Sequence, residues 1–263
     1  MSVSSTDSKE RFSSRVDAYV AARPAYPPQV IEHLRGTIGL TNDWAIADLG
    51  SGTGISCDPF LRNGNTVYGV EPNAAMRQAA EQSLRAFAKF KSISASAEAT
   101  TLPDRSIDLI VAAQAFHWFD IDATRRECQR ILKPDGWALL MWNDRKLSGT
   151  SFLDAYEKLL VEFGTDYMKV RHNNVSKELI ARFFTGSNDP KAHGLLSVGF
   201  PNRQHLDLAG LRSRLLSSSY IPQPSDSRHA LMLKKLEDIF TSHNQNGRVT
   251  IEYQTQLFYG HLT

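Results

Sequence analysis

Cysteine is scarce in this chain. Cys57 and Cys128 are the only two among 263 residues, too few for a disulfide framework or a four-thiolate zinc site. So small a thiol complement fits a reducing compartment. Long apolar runs are missing as well: the longest clean one, Trp137 to Trp142, falls far short of the roughly 20 residues that a membrane span needs. Met1 to Glu10 contains no apolar core of the kind a secretory signal carries. Neither sign of charge dominates, with 30 Lys+Arg against 28 Asp+Glu and a net charge of +2. A dedicated nucleic-acid binder usually carries a clustered basic surplus, although a local basic groove is compatible with a balanced total. The expectation is a cytoplasmic protein with neither a membrane nor a nucleic acid as partner, its oligomeric state open between monomer and dimer.

Apolar material is present in quantity. Hydrophobic residues make up 41% of the chain, enough for a sizeable core, and the length suits one large α/β domain. After the serine-rich first eight residues, Phe12, Val16 and Tyr19 recur at helical spacing over Lys9 to about Ala22. Pro24, Pro27 and Pro28 break that helix, and a second is expected from Gln29 to Gly36. Trp44 to Leu49 and Thr66 to Val70 read as short buried strands, 91–95 as a weak one and Ser106 to Ala113 as a stronger one. Helices are expected over Pro72–Ala88 and Asp122–Leu132. Lys133-Pro-Asp-Gly136 reads as a tight turn before a strand over Trp137–Trp142. Strand and helix thus alternate, the rhythm of a doubly wound parallel sheet. Beyond it, Phe152–Phe163, Lys177–Phe184 and Arg228–Asn244 read as helices, Gln204–Leu208 as a candidate strand and Val249–Tyr259 as a final strand. Because that strand has to return to the sheet, 145–200 reads as a helical insertion within a single domain rather than a domain of its own.

The chemistry concentrates at the ends of the predicted strands. Asp48 closes the first, glycines follow at 50, 52 and 54, and Glu71 closes the second. Glycines let the chain turn sharply and approach a ligand with its backbone. A carboxylate at the next strand end can accept from both hydroxyls of a ribose. The dinucleotide fingerprint fails, because Ile55 stands where its third glycine or alanine belongs, and no Gly-Lys-Ser/Thr follows as a phosphate-binding loop requires.

Asp-x-Gly-x-Gly-x-Gly over 48–54 instead resembles the first motif of class I S-adenosylmethionine-dependent methyltransferases. Val70-Glu71-Pro72-Asn73 with Met76 resembles their second motif. Ser96-Ala97-Glu98, Leu102-Pro-Asp104 and Ile107-Asp108 resemble the segment near the adenine. Gln114-Ala-Phe-His-Trp-Phe119 looks like the rim of the active site, and Leu132 to Gly136 like the turn before the fifth strand. Tyr19, Arg23-Pro24 and Tyr26-Pro27 are similar to a small-molecule branch that includes trans-aconitate methyltransferase-like proteins. The likeness is good over about 10–143 and loose beyond.

That resemblance implies a Rossmann-like doubly wound sheet of seven strands with a reversed last strand and a helical cap. It divides the chain into cap helices (9–36), a donor-binding core (44–143), a helical lid (145–200) and completing strands and helix (201–263). It further implies S-adenosylmethionine as cofactor, S-adenosylhomocysteine as product, and a small-molecule methyl acceptor. Asp48, Gly50, Ser51, Gly52 and Gly54 would form the loop beside the methionine part, with Glu71 and Pro72 at the ribose. Ala97 and Glu98 would lie by the adenine and Gln114 at the sulfonium end. Arg23 would meet a carboxylate, of the donor or of the acceptor.

Plainer readings stand beside these. Glu98 is as easily a surface acid, and Arg23 a surface charge. His117 is the candidate base, with Trp118 able to stack on an acceptor, although the run 116–119 more readily forms a pocket wall. Tyr19, Trp118, Arg171 and Tyr220 are the candidate acceptor contacts, with a carboxylate acceptor needing no base. The other histidines show no ligand spacing, so no metal is expected. The alternatives are an RNA-modifying methyltransferase and a protein that binds S-adenosylmethionine or S-adenosylhomocysteine without turnover.

Overall fold

A computed structural model describes residues 23–170, 176–188, 194–218 and 220–263. The helix expected over Lys9–Ala22, with Tyr19, lies outside the described residues, as does Arg171. Helix α1 (Gln29–Ile38) leads to strand β1 (Ala45–Leu49). Then come α2 (Cys57–Arg62), β2 (Thr66–Val70), α3 (Ala74–Ser83), β3 (Phe90–Ile93) and β4 (Ile107–Ala113), followed by α4 (Ile121–Ile131) and β5 (Leu132–Arg145). The second half consists of α5 (Ser151–Phe163), α6 (Tyr167–Val170), α7 (Lys177–Thr185), β6 (Leu196–Leu206), α8 (Leu208–Leu216), α9 (Arg228–His243) and β7 (Val249–Gly260).

The seven strands form one sheet in the order β3-β2-β1-β4-β5-β7-β6. β1 lies parallel to β2 on one side and to β4 on the other, with Asp48 opposite Gly69 and Val111. β7 enters between β5 and β6, antiparallel to both. The strand order reverses at β1, so the crevice between the carboxyl ends of β1 and β4 is where an open α/β sheet takes its ligand.

Alternation along the strands builds two cores. Ile46, Val67, Leu109, Val111, Leu139 and Met141 face Val30, Leu34, Phe60 and Leu84. Ala47, Leu49, Ile110, Ala112, Leu140 and Trp142 face Phe116, Cys128, Ile131 and Phe183. These short strands are buried on both faces, which is why they read as largely apolar runs. A third core gathers Phe152, Tyr156 and Leu160 of α5, Leu211 and Leu215 of α8, Leu236 of α9, and Ile251 and Tyr253 of β7 into a cap.

Two expectations need correction. Lys133–Gly136 is not a turn outside the sheet but part of β5. The ladder pairs Ile107 with Leu132 and then Leu109 with Trp137, so the extra residues are taken up as a bulge. Residues 145–200 are also not helical throughout, because β6 begins at Leu196 and pairs with β7 as far as Leu206 opposite Val249.

Candidate active site

The loop after β1 is built from left-handed glycines. Gly50 has φ +65° and Gly52 φ +54°, conformations that side-chain-bearing residues adopt at a cost. A Cβ on Gly50 would lie 2.6 Å from that of Ala115, so the loop packs against the residues following β4. Gly52 is the opposite case: a Cβ there would meet nothing within 4 Å. The N–H groups of Gly50 and Ser51 both donate to the Val70 carbonyl, and that of Gly54 donates to the Ser51 carbonyl. A phosphate cradle needs such donors unpaired, so this loop is not one.

Glu71, at the end of β2, locks the loop to its neighbour. Its Oε2 accepts from Gly52 N–H at 3.0 Å and its Oε1 from Asn73 N–H at 2.8 Å. Asn73 in turn caps α3 by accepting from Met76 N–H, the usual task of asparagine before a helix. Asp48 lies fully buried beneath the loop. Its Oδ2 accepts from Ser56 Oγ at 2.5 Å and Cys57 Sγ at 3.1 Å, and its Oδ1 has no hydrogen-bond partner among the described residues. Burial pushes the Asp48 carboxyl up to about 6, against those two hydrogen bonds and with the Glu71 charge adding to the effect. Burial and the neighbouring Asp48 likewise push the Cys57 thiol well up.

Across the crevice, Gln114 follows β4 with φ +61°, a left-handed backbone that a non-glycine residue holds only when its surroundings impose it. Its N–H donates to the Met141 carbonyl, and its Nε2 donates to the Asn143 carbonyl at 3.3 Å. Asn143 also reaches Pro24 and Ala25 through Nδ2 and accepts from Thr255 Oγ1. It thereby ties the segment Arg23–Tyr26 across the strand ends.

A pocket opens between that segment, the glycine loop and the cap. Its lining includes Gly50, Ser51, Gly52, Gln114 and Asp144 on the sheet side, and Arg145, Tyr167, Arg214, Tyr220 and Tyr253 on the cap side. Arg145 is deeply buried and paired. Its Nη2 meets Glu157 Oε2 at 2.5 Å and the Tyr167 hydroxyl at 2.7 Å, and its guanidinium lies 5.4 Å from the Tyr156 ring centre. Partial burial pushes the Asp144 carboxyl up.

Of the residues expected from sequence, Arg23, Gly50, Ser51, Gly52, Gln114 and Tyr220 line this one pocket. Arg23 donates from Nη2 to the Ser217 carbonyl. Glu71, Ala97 and Glu98 stand outside the lining along the same sheet edge; Ala97 is buried, and Glu98 Oε1 accepts from Asp120 N–H. Pro72 is exposed, and Gly54 faces Leu84 and Ala80. His117 and Trp118 sit on a single 3-10 turn, Phe116–Trp118, with ring centres 4.7 Å apart. Both reach the surface, and neither is among the lining residues. The protein atoms around His117 still hold its imidazole down to about 4, so it is neutral near pH 7.

Sequence reasoning passed over Asp144, Arg145, Tyr167, Arg214 and Tyr253. The signal available for the first two was their place directly after the apolar run Trp137–Trp142, at a strand's carboxyl end. Arg214 and Tyr253 carry no local signal of that kind.

Among the described residues, no group of three His, Cys, Asp or Glu is arranged to hold a metal, and no helix is long and apolar enough to cross a membrane.

Residues 47–140 match the family described as "Methyltransferase domain". An uncharacterized methyltransferase of Mycobacterium tuberculosis is 33% identical over 145 residues, 55% of this chain and 57% of that protein. The match to this relative therefore spans little more than half its length. A methyltransferase-like protein of Schizosaccharomyces pombe, also uncharacterized, is 26% identical over 254 residues, 94% of this chain and 93% of that one. Among solved structures, a protein of Anaeromyxobacter dehalogenans provisionally named a type II methyltransferase has a TM-score of 0.64 at 16% identity. It covers 91% of this chain and 98% of its own, a likeness of fold.

Proposed function

We propose that the chain is a class I S-adenosylmethionine-dependent methyltransferase and that it methylates a small-molecule acceptor held in the pocket beneath its cap. The observation that carries this reading is the Glu71 carboxylate, fixed by Gly52 N–H and Asn73 N–H at the carboxyl end of β2, beside the glycine loop. A carboxylate can accept from both hydroxyls of a ribose. The open space over Gly52 lets a ligand approach the backbone itself. In this reading Ala97 and Glu98 take the adenine and Gln114 the methionine end.

The donor, when bound, supplies a methyl group already activated on a positively charged sulfur and leaves as S-adenosylhomocysteine. The chain's task is alignment and exclusion of water. Asp48 and Glu71 place negative charge beside the loop, and the faces of Tyr26, Tyr220 and Tyr253 are compatible with a cation. Tyr220 serves the acceptor, and α5 and α6 act as a lid. If the acceptor is a carboxylate, no base is needed. If it is protic, Asp144 is the carboxylate standing in the pocket to take the proton, and His117 gives up that role to it.

Incubation with deuterated-methyl S-adenosylmethionine and a metabolite extract, read by mass spectrometry, tests the proposal. A labelled small molecule that is lost with Glu71→Ala supports it. Label in RNA or protein alone would overturn the small-molecule acceptor, and absence of label despite donor binding would overturn catalysis.

A further inference from the structure

Arg214 is a buried cation with no anionic side chain beside it among the described residues. It lies in the last turn of α8 and is 5% exposed. Its Nε donates to the Tyr253 hydroxyl at 3.2 Å and its Nη1 to Ser218 Oγ at 3.4 Å. A guanidinium carries five N–H donors, so most of its donating capacity remains after these two bonds. No Asp or Glu lies within ion-pair distance of it among the described residues. The contrast with Arg145 is direct, since that equally buried guanidinium has Glu157. The negative end of α8 offsets part of the charge, but the guanidinium bonds side-chain hydroxyls rather than the last carbonyls of the helix.

Taking a charge out of water is unfavourable by several kcal/mol unless a partner is supplied. The fold nevertheless buries this one beside Tyr220 and Tyr253 and turns it to the lining of the pocket. The third core around it, with Tyr156, Leu211, Leu215 and Tyr253, would accept a neutral side chain of similar volume. An arginine kept there with no counter-charge among the described residues describes a site completed by a ligand.

We propose that Arg214 is the receptor for a carboxylate on the methyl acceptor, so that the acceptor is a small organic acid anchored at the cap end of the pocket. A planar carboxylate matches the fork of a guanidinium by two parallel hydrogen bonds. One charge also suits the local balance, because Arg145 is already neutralised by Glu157. The donor lies along the glycine loop and Glu71, so the anion at Arg214 belongs to the acceptor. The inference rests on the methyltransferase reading for the donor's place, and its test separates the two.

The experiment uses the full chain loaded with S-adenosylhomocysteine and follows its Tm. The probes are an acid pool (benzoate, cinnamate, phenylacetate, hexanoate and succinate) and a matched pool of their methyl esters. Parent protein, Arg214→Gln and Arg214→Lys are compared, with the affinity for S-adenosylhomocysteine measured by calorimetry in each. The expected result is a rise of several degrees with the acids and none with the esters. That rise is lost in Arg214→Gln and partly kept in Arg214→Lys, while the S-adenosylhomocysteine affinity changes less than about twofold in both. Equal responses to acids and esters, no response to any acid, or an acid response surviving in Arg214→Gln would overturn the proposal. A large loss of S-adenosylhomocysteine affinity in both variants would assign Arg214 to the donor instead. Failure of the parent protein to bind S-adenosylhomocysteine at all would overturn the methyltransferase reading, and the acid site with it.

Discussion

Replacing Asp48 by asparagine removes a charge that the fold buries completely. Burial holds the Asp48 carboxyl at about 6 against an ordinary 3.8, so between those values the folded chain binds a proton that the unfolded chain has released. The stability contributed by the neutral carboxyl is fully present below 3.8 and is lost as the pH rises through about 6. That difference corresponds to ~3 kcal/mol, an upper figure because an amide nitrogen left unpaired beneath the loop offsets part of it. The amide oxygen introduced by Asp48→Asn keeps the hydrogen bonds from Ser56 and Cys57. Urea denaturation at pH 4 and pH 8 should therefore show the variant equal to the parent at the lower pH and more stable by about 2 kcal/mol at the higher. Its affinity for S-adenosylmethionine should fall, because a negative charge beside the cationic donor is gone. A difference independent of pH, or a variant less stable at pH 8, would refute the reasoning.

Other consequences follow from the same geometry. Gly50→Ala drives a Cβ into Ala115 and should lower stability by roughly 2–3 kcal/mol. Gly52→Ala should lower it by only about 1 kcal/mol, from backbone strain, yet weaken donor binding as much; calorimetry and urea denaturation on the pair check the contrast. Glu157→Gln leaves the buried Arg145 without its counter-charge and should lower stability by roughly 3–5 kcal/mol, read by chemical denaturation. Asp144→Asn should leave donor affinity unchanged and, for a protic acceptor, lower kcat at least about a hundredfold. An unchanged kcat would remove Asp144 from the proton path.

Much of the fold could be read before any coordinates. β1, β2 and β4 are mainly apolar on both faces because helices cover both sides of the sheet, so each stands in the sequence as a short, mostly hydrophobic run. The glycine loop and Glu71 were legible because a ligand-binding turn needs residue types that are unusual at a strand end. Of the edge strand β6 only the end was, where the candidate strand Gln204–Leu208 overlaps its last three residues. It alternates exposed and half-buried residues, carries Gly199 and Pro201, and pairs on one side only, so nothing in its composition demands a strand. The bulge in β5 was read as a turn because Pro134 and Gly136 serve either purpose. Arg214 was missed for a different reason. Arginine in a helix normally marks a solvated face, and its burial depends on α8 closing over Tyr253, some 40 residues later in the chain. Asp144 and Arg145 sit side by side in the sequence, but only the cap decides that Arg145 has a partner and Asp144 stands at the pocket.

The central claim is that Glu71 holds the ribose of the donor, and calorimetric titration of S-adenosylhomocysteine into the parent chain and Glu71→Ala tests it most directly. Two hydrogen bonds to an ionised carboxylate, at roughly 1.5–3 kcal/mol each, predict binding by the parent and a loss of about a hundredfold or more in the variant, with its circular dichroism spectrum unchanged. Equal affinity in the two proteins would contradict the account.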